Sequence, residues 1–206
     1  MSSFGVREIK KAKTKLACLD AMLELTKECS FRELKSKDIA SHAKITEMTF
    51  FNYFSTKEEL LVYFMRVKNL EEMARNLQNP LLGISAIRRL FTEIAKEINT
   101  HPTIMLSLIG FIASLKAPPK GINIEAPERW LLFPKLEPLQ TIHIDGMNEI
   151  FLNYLTQIDG LKEHEKILEH LVTLFYGGAL NAHIGAKNVT QIYKDGLDLI
   201  FQGVSK

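Results

Sequence analysis

The sequence contains little cysteine, and it contains no hydrophobic run long enough to cross a membrane. The two cysteines among 206 residues, Cys18 and Cys29, are too few for a disulfide framework and lack the C-x-x-C spacing of zinc and redox motifs. The most apolar run, residues 103–115, is shorter than the roughly 20 residues that span a bilayer, and it predicts a buried helix. Residues 16–25 follow a basic stretch but include two acidic residues, which makes them a poor signal peptide. We therefore expect a cytoplasmic protein that has no membrane partner.

Residue patterns of common enzymes and metal sites are also absent from the sequence. It contains no G-x-S-x-G, no phosphate-binding glycine loop and no dinucleotide fingerprint. No two of the six histidines have the i, i+4 spacing with a carboxylate that zinc enzymes use. Asp145 and Glu149 are carboxylates at i, i+4, a pair that is typical of a solvated helix face. We predict no catalytic residue, no metal and no cofactor, and an all-α enzyme that depends on the histidines ranks last.

The charge is distributed unevenly along the chain. The apolar residues make up 46% and the charged residues 24%, which is typical of a globular chain of one domain or of a small module joined to a larger one. Residues 1–57 contain eleven Lys and Arg against seven Asp and Glu, whereas the remaining residues contain fifteen against seventeen. This asymmetry favours a polyanionic partner for the N-terminal quarter, although a charged face is more often only a solvated one.

Hydrophobic spacing predicts helices along the whole chain and no strand. In the first helix, the apolar residues Ile9, Ala12, Leu16, Leu19 and Leu23 share one face, and most of the neighbouring lysines lie off it. The predicted helices are approximately 7–28, 36–43, 47–53, 55–77, 84–99, 102–116, 138–158, 162–185 and 189–203. Five of the seven prolines lie between positions 116 and 138, which predicts a long irregular connection with one short helix around Trp130. The expected fold class is all-α.

Residues 35–54 hold the most informative pattern. Two short predicted helices surround a four-residue turn. They follow directly after a basic helix and come directly before a long helix, whose start is marked by two overlapping capping-box patterns. This arrangement is typical of a helix-turn-helix, whose second helix enters the major groove of DNA. A plain helical bundle produces the same local pattern, so the spacing alone leaves both alternatives open. Thr46 is predicted to cap the second helix, and the predicted core residues are Ile39, Ala43, Phe50 and Phe54.

Four segments at fixed spacing resemble the N-terminal signature of the tetracycline-repressor (TetR) family of transcription regulators. They read DIA at 38–40, AKIT at 43–46, TFFNYF at 49–54 and STKEEL at 55–60, and the resemblance covers about residues 8–66. It implies an N-terminal three-helix helix-turn-helix DNA-binding domain, residues 1–57, with the motif itself at 35–54. A long helix would join it to an α-helical ligand-binding and dimerisation domain, residues 58–206.

The outward face of the second motif helix is expected to read base edges in double-stranded DNA. Asn side chains pair with adenine, Thr contacts bases or phosphates, and Met contacts the thymine methyl group. The candidates for base contact are Thr46, Glu47, Met48, Thr49 and Asn52, with Glu47 alternatively serving only as a helix cap. Tyr53 and Lys57 are expected to hold phosphates, Lys57 through its charge and through a backbone N–H at a helix start. Three further phosphate-facing positions follow from the resemblance: Lys35, Ser36 and Lys37.

Two residues depart from the family pattern. Phe51 stands where the family usually has a tyrosine that contacts phosphate, and Lys44 stands where the family usually has a glycine in the turn. A non-glycine residue in a left-handed conformation costs about 1 kcal/mol. These departures support a second hypothesis, in which the chain is a helical small-molecule-binding or partner-binding protein that no longer reads DNA.

The C-terminal two-thirds suggests a dimer and a ligand pocket. The family resemblance implies that the last two helices form half of a four-helix bundle between two subunits, although packing within one chain is a competing explanation. The interface candidates are Leu171, Phe175, Gly178, Ala182, Ile192 and Leu199. Excess apolar residues in the middle region suggest a pocket for a small apolar or amphipathic effector, unless they are only core. The pocket candidates are His101, Met105, Leu108, Ile109, Trp130, Phe133, His143 and Phe151. The leading hypothesis is thus a ligand-responsive repressor that binds a pseudo-palindromic operator as a homodimer.

Overall fold

The computed structural model describes residues 4–116 and 122–202. Within these residues the chain forms ten α-helices and one short 3-10 helix, and no strand occurs there, so the all-α prediction is confirmed. The helices are α1 (Val6–Leu25), α2 (Ser36–His42), α3 (Glu47–Phe51), α4 (Glu59–Gln78), α5 (Gly83–Thr100), α6 (Pro102–Ser114), α7 (Ala126–Leu132), α8 (Met147–Leu155), α9 (His164–Ile184) and α10 (Val189–Ile200), with the 3-10 helix at Glu137–Gln140.

The predicted helix at 138–158 is wrong in its first half. Only the 3-10 helix and α8 form there, because two carbonyl oxygens of this stretch accept hydrogen bonds from a side chain. The Arg129 guanidinium donates to the oxygens of Leu139 at 3.2 Å and Ile142 at 2.6 Å, which diverts them from helical amide partners. The short helix predicted around Trp130 is confirmed as α7. Part of the predicted irregular connection, residues 117–121, lies outside the described residues, as does the predicted end of the last helix at 203.

The chain divides into two compact units, each made of two segments. The first unit comprises Met1–Ala74 and Ser107–Ile144, and the second comprises Arg75–Leu106 and Asp145–Lys206. The first unit contains α1, α2, α3, most of α4 and α7, and the second contains α5, α8, α9 and α10. The functional boundary predicted near residue 57 stays a prediction.

An aromatic core holds the first unit together. Phe50 and Phe54 are fully buried with ring centroids 5.4 Å apart, and Tyr63 from α4 packs edge-on against Phe54 at 5.5 Å. Ile39 is also fully buried, so three of the four predicted core residues of the motif are confirmed. Ala43 is only half-buried, because it lies at the C-terminal cap of α2 where the chain turns towards solvent. Complete burial of each large side chain stabilises the fold by about 1.5–3 kcal/mol.

A buried ion pair connects α1 to α7. The Lys15 ammonium lies 2.6 Å from Glu128 Oε1, and the side chains are only 5% and 1% exposed. Lys15 also donates to the Asn123 carbonyl at 3.2 Å, and the Tyr63 hydroxyl donates to the same Glu128 oxygen at 2.6 Å. Burial, followed by the Glu128 charge, raises the pKa of Tyr63 well above its usual value. The Lys15 ammonium is therefore committed to this buried network, whereas Lys13 on the same helix is exposed.

Glycines allow the close approach of α9 and α10 in the second unit. A Cβ atom built on Gly178 of α9 would lie 2.5 Å from Tyr193 of α10, and one built on Gly196 of α10 would lie 2.4 Å from Leu174 of α9. Neither position has room for a larger residue. The Tyr193 hydroxyl donates to the Phe175 carbonyl at 2.8 Å, which fixes the two helices further.

The apolar run predicted to be a buried helix forms α6, but its burial is incomplete. Ile104, Met105 and Leu108 are buried, whereas other residues of the helix are partly or fully exposed. Among the described residues, no helix combines the length and the hydrophobicity that crossing a membrane requires.

The buried pair of Lys15 and Glu128 is expected to stabilise the fold. Lys15→Met leaves the Glu128 carboxylate buried without its counter-charge, and we expect it to lower the free energy of unfolding by about 3 kcal/mol in urea denaturation. The double variant Lys15→Met with Glu128→Gln removes both charges and should recover part of this loss. Lys13→Met, an exposed position on the same helix, is the control and should change stability by less than about 0.5 kcal/mol. Equal stability of the Lys13 and Lys15 variants would contradict the role of the pair.

Candidate nucleic-acid interface

The short helix α3 presents an exposed outer face that combines polar and apolar side chains. Phe50 anchors the helix in the core, while Met48 is 77% exposed and Phe51 is 47% exposed. Thr46 is the N-cap, as predicted, and its hydroxyl oxygen accepts from the Thr49 backbone N–H at 3.1 Å. The hydroxyls of Thr46 and Thr49 also lie 2.8 Å apart. The helix therefore displays its candidate base-contacting side chains from a fixed position.

The N-termini of α2 and α3 are joined by a side-chain hydrogen bond. The Ser36 hydroxyl donates to Glu47 Oε1 at 2.7 Å, which orients both side chains. Lys35 and Lys37 flank Ser36 and are exposed. An exposed lysine pair at a helix start suits phosphate, because the free backbone N–H groups and the helix dipole favour an anion there.

The turn between α2 and α3 keeps a left-handed residue without glycine. Lys44 has φ +57°, and the Ile45 N–H donates to the Ala40 carbonyl at 2.9 Å across the turn. The left-handed conformation costs a residue with a side chain about 1–2 kcal/mol. The Lys44 side chain is exposed, so this departure from the family pattern leaves the turn intact and adds a positive charge beside α3.

Lys57 lies beneath the interface, where its ammonium meets three protein acceptors. It donates to the carbonyls of Phe31 at 2.9 Å, Arg32 at 3.0 Å and Leu34 at 2.7 Å, and it lies 4.9 Å from the centre of the Phe31 ring. These bonds fasten the connection between α1 and α2. Because an ammonium has only three donors, the charge of Lys57 is committed to the fold. A phosphate contact through its backbone N–H stays a prediction.

An open cleft of 1080 Å³ runs between α1 and α3. Thr46, Thr49, Tyr53 and Lys44, which belong to the helix-turn-helix, line one side. The side formed by α1 contributes Arg7, Lys10, Lys11 and Thr14. The cleft therefore brings together four basic side chains with several hydroxyl groups, a set that suits the backbone of a nucleic acid.

Glu125 also lines this cleft, and sequence reasoning did not find it. It directly precedes α7 and pairs with Lys11 at 2.7 Å. The two residues are 114 positions apart in the sequence, and no local pattern signals the contact.

The eight pocket candidates do not form one site. Met105 lines a cavity of 280 Å³ in the second unit, together with Ile98, Ala179 and Val189, and Asn99, His183 and Lys187 supply polar groups. Phe151 is fully buried and stacks on Phe91 at 5.5 Å, so it is a core residue. Leu108 is also buried and His143 is exposed, while four candidates are half-buried: His101, Ile109, Trp130 and Phe133.

The six interface candidates divide into buried and accessible residues. Leu171, Phe175 and Gly178 are buried within the chain, which is the intrachain packing that the sequence left as an alternative. Leu199 is 72% exposed, and Ala182 and Ile192 are half-buried. Only the accessible residues present a surface to a second chain.

Comparison with known proteins supports the assignment of the N-terminal part. Residues 19–64 match the model of the family described as bacterial regulatory proteins, tetR family. A TetR transcriptional regulator from Rhodococcus sp. RHA1 is similar in structure, with a TM-score of 0.63, 16% identity, and coverage of 95% of this chain and 100% of that chain. No curated protein matches the sequence significantly.

Two further solved structures are similar to this chain. Thermus thermophilus FadR, a TetR-family transcriptional repressor in complex with lauroyl-CoA, has a TM-score of 0.60 and 21% identity over 93% of this chain and 95% of that chain. A TetR-family transcription regulator from Marinobacter aquaeolei VT8 has a TM-score of 0.51 and 13% identity over 90% of this chain and 94% of that chain. At these identities the likeness establishes the fold.

In the described residues α2 and the exposed α3 have the arrangement of a helix-turn-helix, followed by a helical C-terminal part. The family match over residues 19–64 confirms the resemblance found in the sequence. Residues 19–64 thus match the N-terminal domain of the tetR family of bacterial regulatory proteins, and the chain has the fold of solved TetR-family regulators.

The hydrogen bonds of Lys57 predict that this side chain contributes to the stability of the fold. Lys57→Met removes three charge-assisted hydrogen bonds and should lower the free energy of unfolding by about 2 kcal/mol in urea denaturation. Lys37→Met removes an exposed lysine and should leave stability within about 0.5 kcal/mol of the original chain. If the two variants are equally stable, Lys57 does not fasten the connection between α1 and α2.

Proposed function

We propose that this protein is a TetR-family transcriptional repressor that binds a pseudo-palindromic operator as a cytoplasmic homodimer and releases it when a small effector binds. The observation that carries the proposal is the outer face of α3, where the side chains at 46–49 and at Asn52 point away from a helix that Phe50 anchors. A short helix that is anchored in the core and exposed on its outer side is suited to enter a major groove.

The residues around α3 divide into base-reading and phosphate-holding groups. Asn52 can pair with adenine, Met48 can contact a thymine methyl group, and Thr49 can contact either a base or a phosphate. Glu47 is held by Ser36 and is positioned to accept from a cytosine amino group. Tyr53, Lys35 and Lys37 lie beside this face, where they would hold phosphates and set the register.

Exposed apolar residues on α9 and α10 support the homodimer. Leu180, Ile184 and Leu199 are 38%, 82% and 72% exposed, which is unusual for such side chains on helices that otherwise pack well. A second chain would cover them. Two reading helices related by a two-fold axis would then enter successive major grooves about 34–36 Å apart, which requires a pseudo-palindromic site.

The cavity lined by Met105 supports an amphipathic effector. Its volume of 280 Å³ lies just below the usual range for ligand sites. Its apolar residues suit an acyl or other hydrocarbon chain, and Lys187 and His183 suit an anionic group. The Thermus thermophilus neighbour binds lauroyl-CoA. We propose an effector of the same chemical class, an apolar chain with an anionic head. It can release DNA only to the extent that it binds the DNA-free arrangement more tightly.

Operator binding tests the reading role of α3. We expect Asn52→Ala to weaken binding about tenfold on a duplex that the original chain selects from a random-sequence library, because one bidentate base contact is lost. The same variant should bind a mixed-sequence duplex normally. Tyr53→Phe should weaken binding to both duplexes alike, since its hydroxyl meets phosphate. Affinity should fall steeply with salt, and two chains should bind each selected duplex.

The alternative, a helical protein that no longer reads DNA, predicts a different result. Under this alternative, the original chain selects no duplex from the library, and Asn52→Ala and Tyr53→Phe change its weak DNA affinity equally. Affinity that hardly changes with salt would likewise contradict binding led by phosphate contacts.

The effector proposal is tested with lauroyl-CoA as the probe. We expect it to bind the chain and to weaken binding of the selected duplex, and Lys187→Met to weaken lauroyl-CoA binding about tenfold through the loss of a charge-assisted contact. Lys162→Met is the control, because Lys162 is exposed and does not line this cavity. Equal binding by both variants, measured by calorimetry, would place the ligand elsewhere.

A further inference from the structure

The cleft between α1 and α3 contains a carboxylate that is paired with one of the lysines of the cleft. Glu125 Oε1 lies 2.7 Å from the Lys11 ammonium, and both side chains are accessible, at 46% and 42% exposure. The hydrogen bond with Glu125 raises the pKa of Lys11, so this lysine is charged at any physiological pH. In the chain without DNA, one of the four basic side chains of the cleft is therefore occupied by an internal anion.

The other carboxylate of the cleft has a local partner. Glu8 lies in the first turn of α1 and accepts from the Gly5 backbone N–H at 2.7 Å, where the positive end of the helix dipole also stabilises it. Glu125 differs because its partner is a lysine that faces the same cleft as Lys10, Lys44 and Tyr53. A phosphate and the Glu125 carboxylate would compete for the same ammonium donors.

We propose that the cleft between α1 and α3 is a second DNA-backbone site, and that Glu125 is an internal competitor which a phosphate must displace from Lys11. The proposal rests on the function proposed above and names a contact outside the reading helix. Displacement breaks one bond and forms another: the Lys11 ammonium exchanges a carboxylate oxygen for a phosphate oxygen. The Glu125 side chain then turns to solvent.

The backbone of Glu125 is held in place during this exchange. Its N–H donates to Glu128 Oε2 at 2.8 Å, and the other oxygen of Glu128 holds Lys15 and Tyr63 in the buried network. The competitor is thus kept at the mouth of the cleft by the same residue that docks α7 on α1. Only the side chain of Glu125 is free to leave, because the bonds of its neighbour Glu128 are buried.

Removal of the competing charge should tighten DNA binding. We expect Glu125→Gln to raise the affinity for a mixed-sequence duplex about three- to tenfold at low salt, since Lys11 is released and a repulsive charge is lost. The slope of log affinity against log salt should change little, because Lys11 contacts a phosphate in both complexes. Glu28→Gln is the matched control, because Glu28 is an exposed carboxylate that does not line the cleft.

A double-mutant cycle with Lys11→Met tests competition for this lysine. In the Lys11→Met background, Glu125→Gln should gain clearly less affinity than in the original chain. A full gain in that background means that Glu125 acts only by general repulsion, and this overturns the proposal. Thermal unfolding of each variant checks that the fold is intact. We expect an intact fold, because the Lys11–Glu125 pair is exposed and contributes little to stability.

The possible failures are distinguishable. One outcome is that the original chain binds the duplex with steep salt dependence while Glu125→Gln and Glu28→Gln bind it with equal affinity. That result overturns the proposed competition between Glu125 and phosphate and leaves the proposed regulator function intact. If the original chain shows no salt-dependent DNA binding, both proposals are overturned.

Discussion

The buried Glu128 carboxylate is the constraint on which the arrangement of the first unit depends. At 1% exposure this charge is costly unless it is fully paired, and its partners come from α1 through Lys15 and from α4 through Tyr63. Because partial pairing would leave a buried charge, α1, α4 and α7 are required to dock together. The docking sets the position of the basic side chains along α1, and it brings Glu125 to the cleft.

The reading helix depends on similar support from its surroundings. A helix of five residues is unstable in isolation, so the orientation of α3 has to come from tertiary contacts. Phe50 fixes it to the core, Ser36 ties its start to α2, and Lys57 fixes the chain that leads into α2. The helix α3 is therefore preorganised, and DNA binding need not order its backbone first.

The sequence predicts what depends on local chemistry and fails where distant residues meet. Helix periodicity, the Thr46 cap and the burial of Phe50 follow from neighbouring residues, and the structure confirms them. The role of Lys57 was not predictable, because its acceptors are backbone carbonyls more than twenty positions away. The break before α8 likewise depends on Arg129, whose side chain captures carbonyls that periodicity alone assigns to a helix.

The magnitudes of these interactions indicate how DNA and the rest of the chain can influence each other within the first unit. An exposed pair such as Lys11 with Glu125 contributes at most about 1 kcal/mol, whereas breaking a buried pair costs about 3–5 kcal/mol. Coupling between sites typically amounts to 1–3 kcal/mol. A phosphate can therefore displace Glu125 from Lys11, but it cannot separate Lys15 from Glu128. The buried network acts as a fixed support, and the adjustable charge is the one at the mouth of the cleft.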